Sequence, residues 1–145
     1  MAMRPTREQD LAQILALLRL VPSDLADAYQ RLHEAAGVNR SELIVLERLA
    51  DDGAATVPDL ARAQGVSRQH VQQVCNRLAE KELIAWGRNP AHKRSRLAAV
   101  TNEGYKTVDQ ARMRESRFML TLAGQFSASA LDMTRRTLES LRTML

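Results

Sequence analysis

Between Leu60 and Val74 the small and branched residues fall at intervals that leave the chain few ways to fold. Ala61 is small where a second helix must approach a first. Gly65 is free to take the positive φ of a tight turn, and Val66 is placed to plug the space beneath it. Val71 and Val74 lie three residues apart and share one face of a second helix. Its other face reads Ser67, Arg68, Gln69, His70, Gln72, Gln73, Asn76 and Arg77, hydrogen-bonding groups with no acid among them. Two short helices joined by a sharp turn, the second offering amides and guanidiniums outward, suit insertion into a DNA groove.

The charge distribution points the same way. The chain of 145 residues carries a formal net charge of only +4, so placement matters more than the total. Between Arg62 and Arg96 the bases are Arg62, Arg68, Arg77, Lys81, Arg88, Lys93, Arg94 and Arg96, against Glu80 and Glu82 alone. Much of the offsetting acid lies just before, at Glu42, Glu47, Asp51, Asp52 and Asp59. Basic charge gathered on one module is the footprint of a polyanionic partner.

The flanks read as helices. Leu11, Ile14, Leu15, Leu17, Leu18 and Leu20 give residues 7–20 more apolar surface than one neighbour covers, which predicts burial from two sides. Pro22 is expected to interrupt, with Ser23 or Asp24 restarting a helix along Leu25, Ala28, Tyr29, Leu32 and Ala36 that Gly37 closes. A further helix over 41–50 exits through Asp51-Asp52-Gly53. Thr56 and Asp59 form a capping-box arrangement, with Pro58 at ease in a first turn. These residues open a helix over 57–64, and Ser67 caps the next, over 68–82.

The periodicity then changes: residues 83–87 and 96–100 read as short strands around the basic loop 88–95, where Asn89-Pro90 signals a turn. A basic hairpin directly after such a helix is a wing. Thr101 caps a long helix to about 123, and Ser127 starts one running to the C-terminus. The expected fold is mostly α with a small two-stranded β-wing. It divides into N-terminal helices (1–36, a dimerisation arm), a winged helix-turn-helix DNA-binding domain (38–100) and C-terminal dimerisation helices (101–145).

In this order and spacing the chain resembles the MarR family of dimeric winged-helix regulators. The resemblance rests on Leu60-Ala61, Gly65-Val66-Ser67, Val71, Val74, Leu78, Glu80-Lys81-Glu82-Leu83-Ile84, Asn89-Pro90, Arg94 and Thr101-Asn102-Glu103-Gly104. It implies a homodimer on a pseudo-palindromic double-stranded operator, with recognition helices in successive major grooves and wings reaching toward minor grooves. It implies repression of nearby genes, release by a small-molecule effector, and a ligand pocket near Tyr29. On the wing, Arg88, His92, Lys93, Arg94 and Arg96 are the candidate DNA contacts, Arg94 at the minor groove. Two positions depart from the family pattern: His92 stands where an acid usually precedes the tip arginine, and Glu82 where a glycine usually precedes the first strand.

Other classes find less support. There is no Gly-rich phosphate loop and no His or Cys pair at metal spacing, and His33, His70 and His92 fall on three different elements, so neither enzyme nor cofactor is expected. A winged helix serving as a protein- or RNA-binding module explains the fold but explains the amide-rich second helix less well. Cys75, the single cysteine, shares the stripe of Val71 and Leu78 and reads as a buried thiol; a redox-responsive regulator is the alternative. One cysteine allows no intramolecular disulfide, residues 1–7 lack the order of a signal peptide, and Gln13 and Arg19 break the apolar run at 11–21. A cytoplasmic protein without membrane contact is expected. Met113, Met119, Met133 and Met144 at helical spacing read as core or dimer interface.

Overall fold

A computed structural model describes residues 6–92 and 95–145. Among these the chain forms six helices and one hairpin: α1 (Arg7–Ala35), α2 (Arg40–Asp52), α3 (Val57–Gln64), α4 (Arg68–Glu80), β1 (Ile84–Arg88), β2 (Arg96–Val100), α5 (Asn102–Ala123) and α6 (Ala128–Met144). The chain divides into two compact units, the first extending to Ala111 and the second Arg112–Leu145.

α1 is continuous where two helices were expected. Pro22 lies inside it. A mid-helix proline removes one donor and crowds the carbonyl four residues back. Here the stretch Leu15–Asp27 is exposed throughout, so water can satisfy the freed carbonyl of Leu18 and the helix carries on. Its start is a reciprocal capping box, with Thr6 and Gln9 each bonding the other's backbone N–H. α2 begins the same way, with Asn39 and Glu42.

At α3 the expected box is half formed. Thr56 Oγ1 accepts from the Asp59 N–H at 3.3 Å, but the Asp59 carboxylate takes the Thr56 hydroxyl at 2.7 Å. That hydrogen bond, reinforced by Arg62 against a smaller desolvation effect, holds the Asp59 carboxyl below its ordinary value.

Helix ends α1, α3 and α4 share one geometry. In each, one N–H reaches back five residues and the preceding one three: Val38 to His33 and Gly37 to Glu34, Val66 to Ala61 and Gly65 to Arg62, Leu83 to Leu78 and Glu82 to Ala79. This closure needs a left-handed residue. Gly37 (φ 84) and Gly65 (φ 67) supply it in the first two; in the third it is Glu82, at φ 58. Val66 itself is 42% exposed. It closes the turn through its backbone and does not plug the space below, as its side chain was expected to.

The core of the first unit lies where α2, α3, α4 and the hairpin meet, around Leu46, Leu49, Leu60, Val71, Val74, Cys75 and Leu78. β1 and β2 are antiparallel, with Ile84 opposite Val100, Trp86 opposite Ala98 and Arg88 opposite Arg96. Ala55 bonds Ala98 in both directions, at 2.8 and 3.1 Å, pinning the hairpin to the link between α2 and α3.

At the hairpin's base Thr101 makes three bonds through its N–H and its hydroxyl. Its N–H donates to Leu83 O at 3.0 Å, its hydroxyl donates to Glu82 O at 2.7 Å, and that oxygen accepts the Gly104 N–H at 3.0 Å. α5 therefore starts against β1, so closely that a Cβ on Gly104 would collide with the Leu83 carbonyl and stand 2.7 Å from Val100 Cγ1.

Two glycine exchanges should then act oppositely. Gly104→Ala should destabilise the fold by about 2–3 kcal/mol through forced displacement of β1. Glu82→Gly should stabilise it by about 0.5–1 kcal/mol by relieving a left-handed side chain. Urea unfolding of both variants checks the pair, and a silent Gly104→Ala would contradict the packing.

Candidate nucleic-acid interface

The polar face of α4 is exposed as its spacing predicted. Ser67 caps the helix, its side chain accepting the His70 N–H at 3.1 Å, while Val71, Val74, Cys75 and Leu78 anchor the opposite face. The outward residues divide into two groups. Arg68, Gln69, Gln72 and Asn76 line a groove of about 540 Å³ whose far wall is the hairpin, at Trp86, Ser95 and Arg96. The start of α3, at Val57 and Pro58, closes one side. Within it the Gln72 amide donates to the Asn76 amide oxygen at 2.9 Å, one helical turn away. His70 and Gln73 are exposed on α4 but do not line this groove.

Arg77 points elsewhere. Its Nε lies 3.3 Å from Glu42 Oε1, and Lys81 Nζ lies 2.7 Å from Glu42 Oε2. Lys81 also donates to Gly37 O at 3.1 Å. The Glu42 side chain is 1% exposed, whereas Arg77 and Lys81 keep 42% of theirs. Burial pushes this carboxyl's pKa up, but the hydrogen bonds from Lys81, the Asn39 backbone and Arg77 outweigh it, and the net value is lowered. No local pattern announced this cluster, because its members are 35 and 39 residues apart. The one available signal was Asn39-x-x-Glu42, a second capping-box spacing.

On the wing, Arg88 and Arg96 face each other across the hairpin, both exposed. Arg96 Cζ stands 5.5 Å from the centre of the Trp86 ring. Asn89 orders the start of the loop: it accepts the Ala91 N–H at 3.0 Å and donates to Ser95 Oγ at 2.9 Å. His92 is exposed, and its carbonyl accepts the Ser95 N–H at 3.2 Å. Lys93 and Arg94, also expected at the wing, lie outside the described residues.

Among the described residues no cluster of His, Cys, Asp and Glu could hold a metal ion, and no helix is long and apolar enough to cross a membrane. Cys75 is fully buried, and desolvation pushes its thiol up to about 11. It is a packing group without thiolate character at neutral pH.

A helix-turn-helix followed by an antiparallel basic hairpin defines a winged-helix protein. Residues 36–95 match the model of the MarR family, and the chain belongs to that family. Over 97 residues it is 36% identical to the uncharacterized protein Rv2011c of Mycobacterium tuberculosis, a match spanning 67% of this chain and 66% of that protein. The fold is similar to that of YusO from Bacillus subtilis, with a TM-score of 0.83 at 20% identity over 97% of this chain and 100% of that one. It is also similar to an S. aureus MepR variant bound to an oligodeoxyribonucleotide, with a TM-score of 0.71 at 18% identity over 90% and 96% of the two chains.

Replacing the buried carboxylate tests the Glu42 cluster. Glu42→Gln should lower stability by about 2 kcal/mol at pH 7, because two cations lose their partner. A lowered folded pKa means the contribution is whole above the ordinary carboxylate range and is lost as pH falls through the folded value. Wild type and variant should therefore converge in urea melts as pH falls below the ordinary carboxylate range; parallel curves would show that the fold does not lower the Glu42 pKa. Cys75 should resist thiol reagents in the folded protein at neutral pH, and rapid labelling would contradict its placement.

Proposed function

We propose that this MarR family regulator is a homodimeric, sequence-specific repressor that binds a pseudo-palindromic operator. One observation carries the reading: four polar residues of α4 and the basic hairpin line a single open groove. The amides of Gln69, Gln72 and Gln73 suit adenine edges, and Arg68 suits guanine. Ser67, at a helix N-terminus, suits a phosphate. His70 and Asn76 complete the α4 surface presented to the major groove. Arg77, tied to Glu42, keeps enough exposure to reach a phosphate at the helix's far end. Arg88, His92, Lys93 and Arg96 supply backbone charge, and Arg94 the minor-groove contact.

Apolar exposure supports the dimer. Leu17, Leu20 and Val21 on α1 are 55%, 61% and 52% exposed. In the second unit Leu120, Phe126 and Met133 are 71%, 59% and 71% exposed, and α6 buries nothing. Such surfaces are covered in a working protein. Two copies at fixed spacing would place α4 and its mate about one helical turn of DNA apart, roughly 34 Å.

The family resemblance extends the reading to a small-molecule effector that shifts the dimer between shapes. Tyr29, the candidate pocket residue, is half-buried with its ring 6.0 Å from that of His33. A cytoplasmic location fits this role.

Fluorescence anisotropy with duplex from the protein's own upstream region, against a scrambled duplex at several salt concentrations, tests the proposal. A native preference of about a thousandfold with a steep salt slope is expected. Gln69→Ala should reduce that preference about tenfold or more while leaving the salt slope unchanged. Equal, weak binding to upstream duplexes and to duplexes from random-sequence selection would overturn the reading. Sedimentation at micromolar concentration should give the dimer mass; a monomer would remove the two-site geometry.

A further inference from the structure

The pleat of the hairpin explains where its charges end up. Side chains of one strand alternate between faces, and directly paired residues share a face. Ile84, Trp86 and Arg88 therefore lie on the same side as Val100, Ala98 and Arg96, their partners in register. At the base this side is core, with Ile84 3% exposed opposite the half-buried Val100. In the next pair on this face Ala98 is 0% exposed but Trp86 is only half-buried, and the pair beyond carries the exposed Arg88 and Arg96. Trp86 and Arg96 are diagonal neighbours, close enough for the guanidinium to sit over the indole.

Trp86, Ser95 and Arg96 border two depressions at once. One is the groove shared with α4; the other, of about 440 Å³, runs along the hairpin past Arg88 and Asn89. They form the ridge between these depressions, so a polyanion reaching from α4 to Arg88 would cross it. The register also sets Arg88 directly opposite Arg96, and like charges directly opposed are unfavourable without a counter-ion. An exposed arginine side chain is otherwise free to turn away from its neighbour. The indole face gives Arg96 a reason to stay.

Resting on the DNA reading above, we propose that Trp86 is a positioning residue, holding the Arg96 guanidinium toward a DNA backbone phosphate where the strand passes from α4 to the wing. Arg88 supplies the second guanidinium across the hairpin. The phosphate relieves the repulsion between the two arginines, which makes the site selective for an anion. Trp86 touches no base and reads no sequence; it acts through Arg96.

A double-mutant cycle on the full-length chain tests this, using a mixed-sequence duplex of about 30 base pairs at low salt. Trp86→Leu should weaken binding about three- to tenfold when Arg96 is present and hardly at all in an Arg96→Gln background. Trp86→Phe, which keeps an aromatic face, should recover most of the loss. Arg96→Gln should flatten the slope of log Kd on log salt by about one unit, and Trp86→Leu should flatten it in the same direction. A purely structural role for Trp86 would lower the melting temperature and leave that slope alone.

The chain's single tryptophan gives a second readout, since saturating duplex should change its emission in the wild-type protein. Equal losses in both Arg96 backgrounds, failure of Trp86→Phe to rescue, or emission blind to bound duplex would each overturn the assignment. If the wild-type protein bound duplex without salt dependence, the DNA reading itself would fail first, and the proposal with it.

Discussion

One buried carboxylate sets the geometry of the winged-helix core. Glu42 bonds back to Asn39 to start α2, and it accepts Lys81 and Arg77 from the end of α4. Lys81 continues to the carbonyl of Gly37, where the chain leaves α1. Two chain segments far apart in sequence, residues 37–42 and 77–81, thus meet on three side chains. An apolar contact would hold them together without fixing their rotation, because hydrophobic burial is non-directional. A charged hydrogen bond is directional, and leaving either partner unsatisfied in the interior is costly. The axis of α4 is therefore fixed at its C-terminal end by electrostatics and along its length by Val71, Val74, Cys75 and Leu78. Its N-terminal end remains open to the groove.

The hairpin is fixed by a different means. Backbone bonds between Ala55 and Ala98, and from the Thr101 N–H to Leu83 O, attach it through main-chain atoms, and the Thr101 hydroxyl adds one side-chain bond to Glu82 O. The groove between α4 and the wing thus has two independently anchored walls. For the proposed DNA interface this matters, because a displacement of an ångström changes hydrogen-bond geometry.

Much of this was legible in the chain. The Ala61–Gly65 spacing, the Val71–Val74 stripe and the Ser67 and Thr101 caps are local patterns, and each placed its element within a few residues. The exposed face of α4 followed from the same periodicity. Arg77 shows where such reasoning stops: it continues the polar face in sequence, yet its partner lies 35 residues earlier, and only the tertiary fold brings Glu42 beneath it. Trp86 was passed over for a related reason. Alternation assigns it to the inner face of β1, but only the register with β2 shows that this face runs out of the core and under Arg96. Pro22 misled because proline costs a helix without always ending it: its ring crowds the Leu18 carbonyl and removes one bond, yet α1 continues on both sides. At Glu82 the departure from glycine was visible, and the structure supplies its meaning: the position is left-handed, at φ 58, with a side chain in place.

The way Thr101 seals the base of the hairpin bears on how such a protein diversifies. The seal makes everything between Glu82 and Thr101 a closed excursion whose two ends are held by bonds outside the loop tip. Residues added beyond Arg88 and before Arg96 would then cost little more than the entropy of a longer loop, which grows only with the logarithm of its length. The hairpin tip can accordingly be lengthened, shortened or recharged over generations without disturbing α4, and its reach can drift separately from the polar face that α4 presents.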